Sequence, residues 1–132
     1  MLSTAIVTGG TRGIGAAIAA SLAGKGYFVV AAGLHPFERA DAEQNSNIRA
    51  ELLDVTCARS VYDLVAGLDR IDLIVNCAGI IQRDGREFTI AGFRTTLEVN
   101  LVGKKCALPR SQSCPRAVYR SSTLRQIGRA HV

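Results

Sequence analysis

The sequence predicts an α/β fold, a doubly wound parallel sheet, and three observations carry that prediction. Short apolar segments alternate with segments of helical spacing: Ala5-Ile6-Val7, then Ala16 to Ala23, then Tyr27 to Ala32. The apolar segments are nearly continuous, which suits parallel strands covered on both faces. Between the first strand and the first helix stands a glycine cluster, Thr8-Gly9-Gly10-Thr11-Arg12-Gly13-Ile14-Gly15.

Each element follows in order. A strand near Thr4 to Val7 leads through the glycines into an Ala-rich helix from Gly13 to Gly24, and a second strand covers Tyr27 to Ala32. A polar loop runs through Pro36, with a short turn expected around Phe37 to Ala42. The third strand is Ile48 to Leu53, the next helix Ala58 to Leu68, and the fourth strand Ile71 to Val75. Helical spacing resumes near Ile90 and runs into Lys104. Right-handed crossovers between such strands leave a ligand crevice at their carboxyl ends. At 132 residues and 48% hydrophobic content there is room for one domain with a core.

A strand that turns through glycines into a helix offers free backbone N–H groups and a positive dipole end to a phosphate. Gly9 permits the tight turn, Gly13 lets backbone approach the ligand, and Gly15 allows close packing of the helix. A plain turn would need only one such glycine. Ile14 is expected to anchor the loop in the core. The spacing, Gly9-x-x-x-Gly13-x-Gly15, differs from the G-x-G-x-x-G of the common dinucleotide fingerprint.

Over this loop the chain resembles the short-chain dehydrogenase/reductase family, whose pattern is Thr-Gly-x-x-x-Gly-Ile-Gly. Three further stretches carry the likeness in order. Asp54-Val55 ends a strand, Asn76-Cys77-Ala78-Gly79 follows Ile71 to Val75, and Leu97-Glu98-Val99-Asn100-Leu101-Val102-Gly103 lies on a helix. The resemblance covers residues 1–103 and implies the cofactor-binding half of a truncated Rossmann-type fold. It implies an oxidoreductase that interconverts a small-molecule alcohol and a ketone by hydride transfer with NAD(P), normally as a homo-oligomer.

By the same resemblance, Gly9, Thr11, Arg12, Gly13, Ile14 and Gly15 cradle the cofactor, while Asp54 and Val55 meet the adenine. Asp54 also has a local reading, as a turn or cap at the strand end. Asn76 ties the fourth strand to its neighbours, and Ala78 and Gly79 run beside the nicotinamide ribose. Asn100 matches a catalytic asparagine that holds a proton-relaying water. Arg12 has two readings, a solvated charge or a guanidinium facing a 2′-phosphate, and NADP is favoured over NAD because no acid ends the second strand beside it, where Ala31-Ala32-Gly33-Leu34-His35 stands. Leu34 occupies the discriminating position. The sequence at Asn76 to Arg83 leaves the substrate open between sugar acids or polyols and fatty-acyl groups.

Beyond residue 103 the likeness stops. Residues 104–132 hold seven basic side chains and no Asp or Glu, leaving nine basic against eleven acidic residues before them, a net −2. A basic tail usually suggests nucleic acid, but this one lacks aromatic interleaving and helical periodicity, so no nucleic-acid partner is expected. The family's Tyr-x-x-x-Lys is missing: Tyr119 is followed four residues on by Thr123, and no Lys follows Lys105. Out-of-frame reading of the codons for residues 116–125 permits Gly-Gly-Ile-Ser-Ile-Val-Asn-Thr-Ser, close to the family's next strand. A frameshift near Gly103-Lys104-Lys105 is therefore expected. The end, Ile127 to Val132, matches the translation of a short-read sequencing adapter and is excluded from fold reasoning. The expectation for the chain as it stands is a dinucleotide-binding module without turnover and of poor solubility.

The four cysteines, Cys57, Cys77, Cys106 and Cys114, form no C-x-x-C pair, so no metal site is expected. Cys57 and Cys77 are read as small buried apolar residues, and His35 and His131 as solvated surface groups. With no leader pattern and no membrane-length apolar run, no membrane partner and a cytoplasmic location are expected.

Overall fold

The computed structural model describes residues 2–37 and 45–103. Four strands, β1 (Thr4–Thr8), β2 (Phe28–Gly33), β3 (Ile48–Leu52) and β4 (Leu73–Asn76), form one parallel sheet in the order β3-β2-β1-β4. Helix α1 (Gly13–Gly24) joins β1 to β2, α2 (Ala58–Ala66) joins β3 to β4, and α3 (Ile90–Leu97) follows a 3-10 turn at Arg86–Phe88. Helix α3 starts on Thr89, whose hydroxyl accepts the Gly92 N–H at 3.0 Å. Glu98–Val102 then continues it with π-type turns. The short turn expected around Phe37 to Ala42 and everything from Lys104 onward, including Cys106, Cys114, Tyr119 and His131, lie outside the described residues.

The sheet is hydrophobic on both faces because successive side chains alternate across it. Ala5, Val7, Val29 and Ala31 face one layer with Ala19 and Ala23 of α1. Ile6, Val30 and Ile74 face the other, against Leu64 and Val65 of α2. Val7, Val29 and Val30 are fully buried, each contributing roughly 1.5–3 kcal/mol by leaving water. The alanines of α1 let the helix lie close to the sheet. The start of β1 is pinned by Asp72, whose Oδ2 accepts the Thr4 N–H at 2.8 Å.

Coverage on both faces holds for β1 and β2 but not for β3. That strand is an edge: Arg49, Ala50 and Leu52 are exposed, and Arg49 pairs with Glu51 at 2.8 Å while lying over the Phe28 ring. A one-sided strand with charged residues protects an edge from further pairing. Helix α3 and its flanks carry a row of exposed apolar groups, including Phe88, Ile90 and Phe93.

Strand order decides where a ligand can sit. From β1 the chain moves outward to β2 and β3, then returns to place β4 on the other side of β1. The strand order therefore reverses at β1, and a switch point of this kind leaves a crevice at the carboxyl ends of the strands.

Candidate functional site

A cavity of about 320 Å³ lies in that crevice, within the range of small-ligand sites. Its wall comes from the loops after all four strands. The first supplies Gly9, Thr11, Arg12, Gly13, Ile14 and Gly15; the second, Gly33, Leu34 and His35; the third, Leu53, Asp54 and Val55; the fourth, Cys77, Ala78, Gly79 and Ile80. Val99, in the π-type segment after α3, also lines it. Among the described residues no cluster of His, Cys, Asp or Glu could hold a metal ion, and no helix is long and apolar enough to cross a membrane.

The glycines serve distinct purposes. Gly9 has φ +66°, and a Cβ there would stand 2.8 Å from the Ala78 Cα, so this glycine lets two loops touch. A Cβ on Gly15 would fall 2.0 Å from the Gly9 carbonyl oxygen. Its lack of a side chain therefore folds the loop onto the helix start, rather than seating the helix on a strand. Gly13 has φ +54° with nothing near its missing Cβ, so it supplies both the left-handed turn and open space. Helix α1 begins without a side-chain cap and with no acidic residue in its first turn. Its first N–H groups are left without the partner a cap would give.

Three expectations need correcting. Ile14 is 78% exposed and belongs to the cavity wall, not the core, because it falls on the solvent side of the first turn of α1. Cys57 is exposed, since it precedes α2 on the surface. Cys77 is half-buried and lines the cavity, where the chain leaves β4. His35 is exposed, as read, yet it stands in the cavity wall.

Asp54 shows the local bonding of a strand-end turn. Its Oδ1 accepts the Thr56 N–H at 2.9 Å and the Thr56 hydroxyl at 2.6 Å. The hydroxyl bond chiefly, then the N–H bond, hold its carboxyl below the ordinary value of 3.8. Asn76 and Asn100 do not line the cavity but bond to residues of its surroundings. Thr8 donates its hydroxyl to Asn76 Oδ1 at 3.4 Å and accepts the Ala78 N–H at 3.3 Å. Asn100 grips the Ile80 backbone, its Oδ1 accepting the N–H at 2.8 Å and its Nδ2 donating to the carbonyl at 2.9 Å.

Sequence reasoning passed over Gly33 and Cys77 as cavity residues. A Cβ on Gly33 would lie 2.6 Å from Thr11 Oγ1, and Thr11 is only 3% exposed. The available signal was positional: the residues just past each parallel strand face the crevice.

A parallel sheet whose order turns at β1, with a glycine loop and a cavity at that turn, defines a doubly wound α/β protein of the Rossmann type. The chain belongs to the short chain dehydrogenase family, whose model matches residues 3–107. It is 44% identical over 85 residues to an acetoacetyl-CoA reductase of Rhizobium meliloti, covering 61% of this chain and 35% of that protein. With D-threitol dehydrogenase of Mycolicibacterium smegmatis the identity is 33% over 110 residues, covering 75% and 42%. The solved structure of ElxO with NADP bound superposes with a TM-score of 0.68 at 28% identity, over 81% of this chain and 48% of that one. The chain thus spans less than half the length of these relatives.

Proposed function

We propose that this chain is the dinucleotide-binding half of an oxidoreductase interconverting an alcohol and a ketone, with NADP favoured over NAD. The observation that carries the proposal is the cavity itself, bounded by the Gly9 to Gly15 loop at the turn in strand order. The lining fits the group: Gly13 leaves backbone open to a pyrophosphate, and the uncapped start of α1 favours an anion. When bound, NADPH would supply the hydride that reduces a ketone, and NADP would accept one from the alcohol.

This chain's residues bind and orient. Arg12 meets the 2′-phosphate, for which planar multidentate pairing suits a guanidinium. Leu34 leaves that region free of a carboxylate. Asp54 and Val55 border the adenine, and Ala78 and Gly79 the nicotinamide ribose. Asn76 and Asn100 are positioning residues, holding the β4 loop through Thr8 and Ile80. The names of the relatives divide between acyl-CoA ketones and polyols, and the substrate class proposed is correspondingly a small ketone or secondary alcohol. A cytoplasmic location and a homo-oligomeric full-length form belong to the same proposal.

A second reading concerns the 132-residue polypeptide itself. A proton donor is needed for the nascent alkoxide, and no Tyr-x-x-x-Lys follows Asn100. As it stands, the chain binds dinucleotide without turnover. Calorimetric titration with NADPH and NADH tests both readings. NADPH should bind about ten- to a hundred-fold tighter, the worth of one charge-assisted hydrogen bond. Arg12→Ala should remove that advantage and spare NADH, and acetoacetyl-CoA should not be reduced. Equal loss of both nucleotides in Arg12→Ala would refute the NADP assignment; steady reduction would refute the module reading.

A further inference from the structure

We infer that Asp84-Gly85 is a site of spontaneous covalent modification. The Gly85 backbone nitrogen closes on the Asp84 side-chain carboxyl, and water reopens the ring to leave a β-linked aspartate. The reaction needs only water and is independent of the nucleotide reading above.

Among the described residues Asp84 is the one non-glycine with a positive φ, +61°, and Gly85 follows at +82°. Two such residues in succession make the turn that Asp-Gly favours. The bond that closes it, from the Arg86 N–H to the Arg83 carbonyl, is long at 3.3 Å. Both residues are exposed, and nothing stands within 4 Å of the missing Gly85 Cβ. Among the described residues neither the Asp84 carboxylate nor the Gly85 N–H has a hydrogen-bond or ion-pair partner. A residue with a side chain is disfavoured in the left-handed region. Local opening of the turn therefore relieves Asp84, and it lets the Gly85 nitrogen reach the carboxyl carbon.

The other described aspartates lack this combination. Asp54, Asp63 and Asp72 precede Val55, Leu64 and Leu73, whose side chains hinder the closing nitrogen. Their carboxylates are also held: Asp54 by Thr56, Asp63 by Arg59, and Asp72 by Arg70 and the Thr4 N–H. Asp69 precedes Arg70, and no Asn in the sequence precedes a glycine. In ring closure the bond from Gly85 N to Asp84 Cγ forms and a Cγ–O bond breaks. The departing oxygen leaves as water with the amide proton and one proton from solvent. Hydrolysis of the ring then consumes a water and returns that proton. Attack on the main-chain carbonyl carbon leaves Gly85 joined through Cγ, and attack on Cγ restores the original link. The β-link adds one carbon to the main chain shortly after Ile80, the cavity residue that Asn100 holds.

The test is incubation of the folded 132-residue chain in heavy-oxygen water at neutral pH for several weeks. Its peptides are then mapped by mass spectrometry with electron-transfer fragmentation, which distinguishes the two linkages. Each closure and reopening should leave a heavy oxygen at residue 84, and the β-linked form should accumulate there with time. Asp54, Asp63, Asp69 and Asp72 should stay unlabelled. Asp84→Glu should lose the label at residue 84, because its ring needs one more carbon and closes far more slowly. Label at Asp84 in urea but not in the folded chain would show that the turn protects it, and would overturn the inference. Label spread evenly over the aspartates, or none at Asp84 in either state, would overturn it as well.

Discussion

Asn100 and Ile80, twenty residues apart, are joined at two points: the Asn100 amide accepts the Ile80 N–H at 2.8 Å and donates to its carbonyl at 2.9 Å. The side chain thus completes the backbone pairing of a loop that has left the sheet. It reaches there from the π-type segment Glu98–Val102, whose wider turn interrupts the regular helix.

Asn100→Ala removes both bonds and leaves a half-buried N–H and carbonyl without them. Stability should fall by about 1–3 kcal/mol, read as a lower urea midpoint at unchanged slope. Asn100→Asp keeps the acceptor but sets a carboxylate against the Ile80 carbonyl, so it should be no better than alanine. A wild-type midpoint in both variants would show that the clamp is dispensable.

Two glycines of one helix should respond in opposite senses. Gly15→Ala forces a Cβ into the Gly9 carbonyl oxygen, so it should destabilise the fold and abolish nucleotide binding. Gly24, at the other end of α1, has nothing within 4 Å of its missing Cβ. Gly24→Ala should stabilise the chain by about 0.5–1 kcal/mol through helix propensity, measured by thermal melting.

Installing an acid beyond β2 should depend on the position chosen. Leu34 is 59% exposed in the cavity wall, so Leu34→Asp is accommodated and should shift preference towards NAD by about tenfold. Gly33→Asp drives its Cβ against buried Thr11 and should weaken both nucleotides together. Paired titrations of the two variants separate these outcomes.

The Asp54–Thr56 turn should matter at low pH. Because the folded carboxyl titrates below 3.8, its contribution is fully present above that value and disappears as pH falls through the lower folded one. Thr56→Val deletes the hydroxyl bond, the larger cause of the shift, and raises the folded pKa towards 3.8. Acid unfolding followed by circular dichroism should then begin at higher pH than in the wild type.

What the sequence made legible were the features fixed by local pattern. Alternating apolar strands and helices predicted the parallel sheet, and the bounds expected for α1, Gly13 to Gly24, are those observed. Features set by tertiary contact were not legible. Ile14 reads as core by hydrophobicity, but its place in the first turn puts it on the cavity wall. The edge character of β3 follows from strand order, which no local window contains. Regular helical spacing from Ile90 conceals the π-type turns, and the bonds from Asn100, within them, to Ile80 reach across the fold. The clash that makes Gly33 necessary depends on Thr11, two loops away in sequence.

The central claim is that a dinucleotide lies along the Gly9 to Gly15 loop and across the carboxyl ends of the strands. Amide chemical shifts of the isotopically labelled chain, followed during addition of NADP, test it most directly. The account predicts saturable shifts confined to Gly9–Gly15, Leu34–His35, Asp54–Val55 and Ala78–Ile80, with the edge strand β3 at Arg49 and the far end of α1 unmoved. Shifts elsewhere, or none at millimolar NADP, would contradict it.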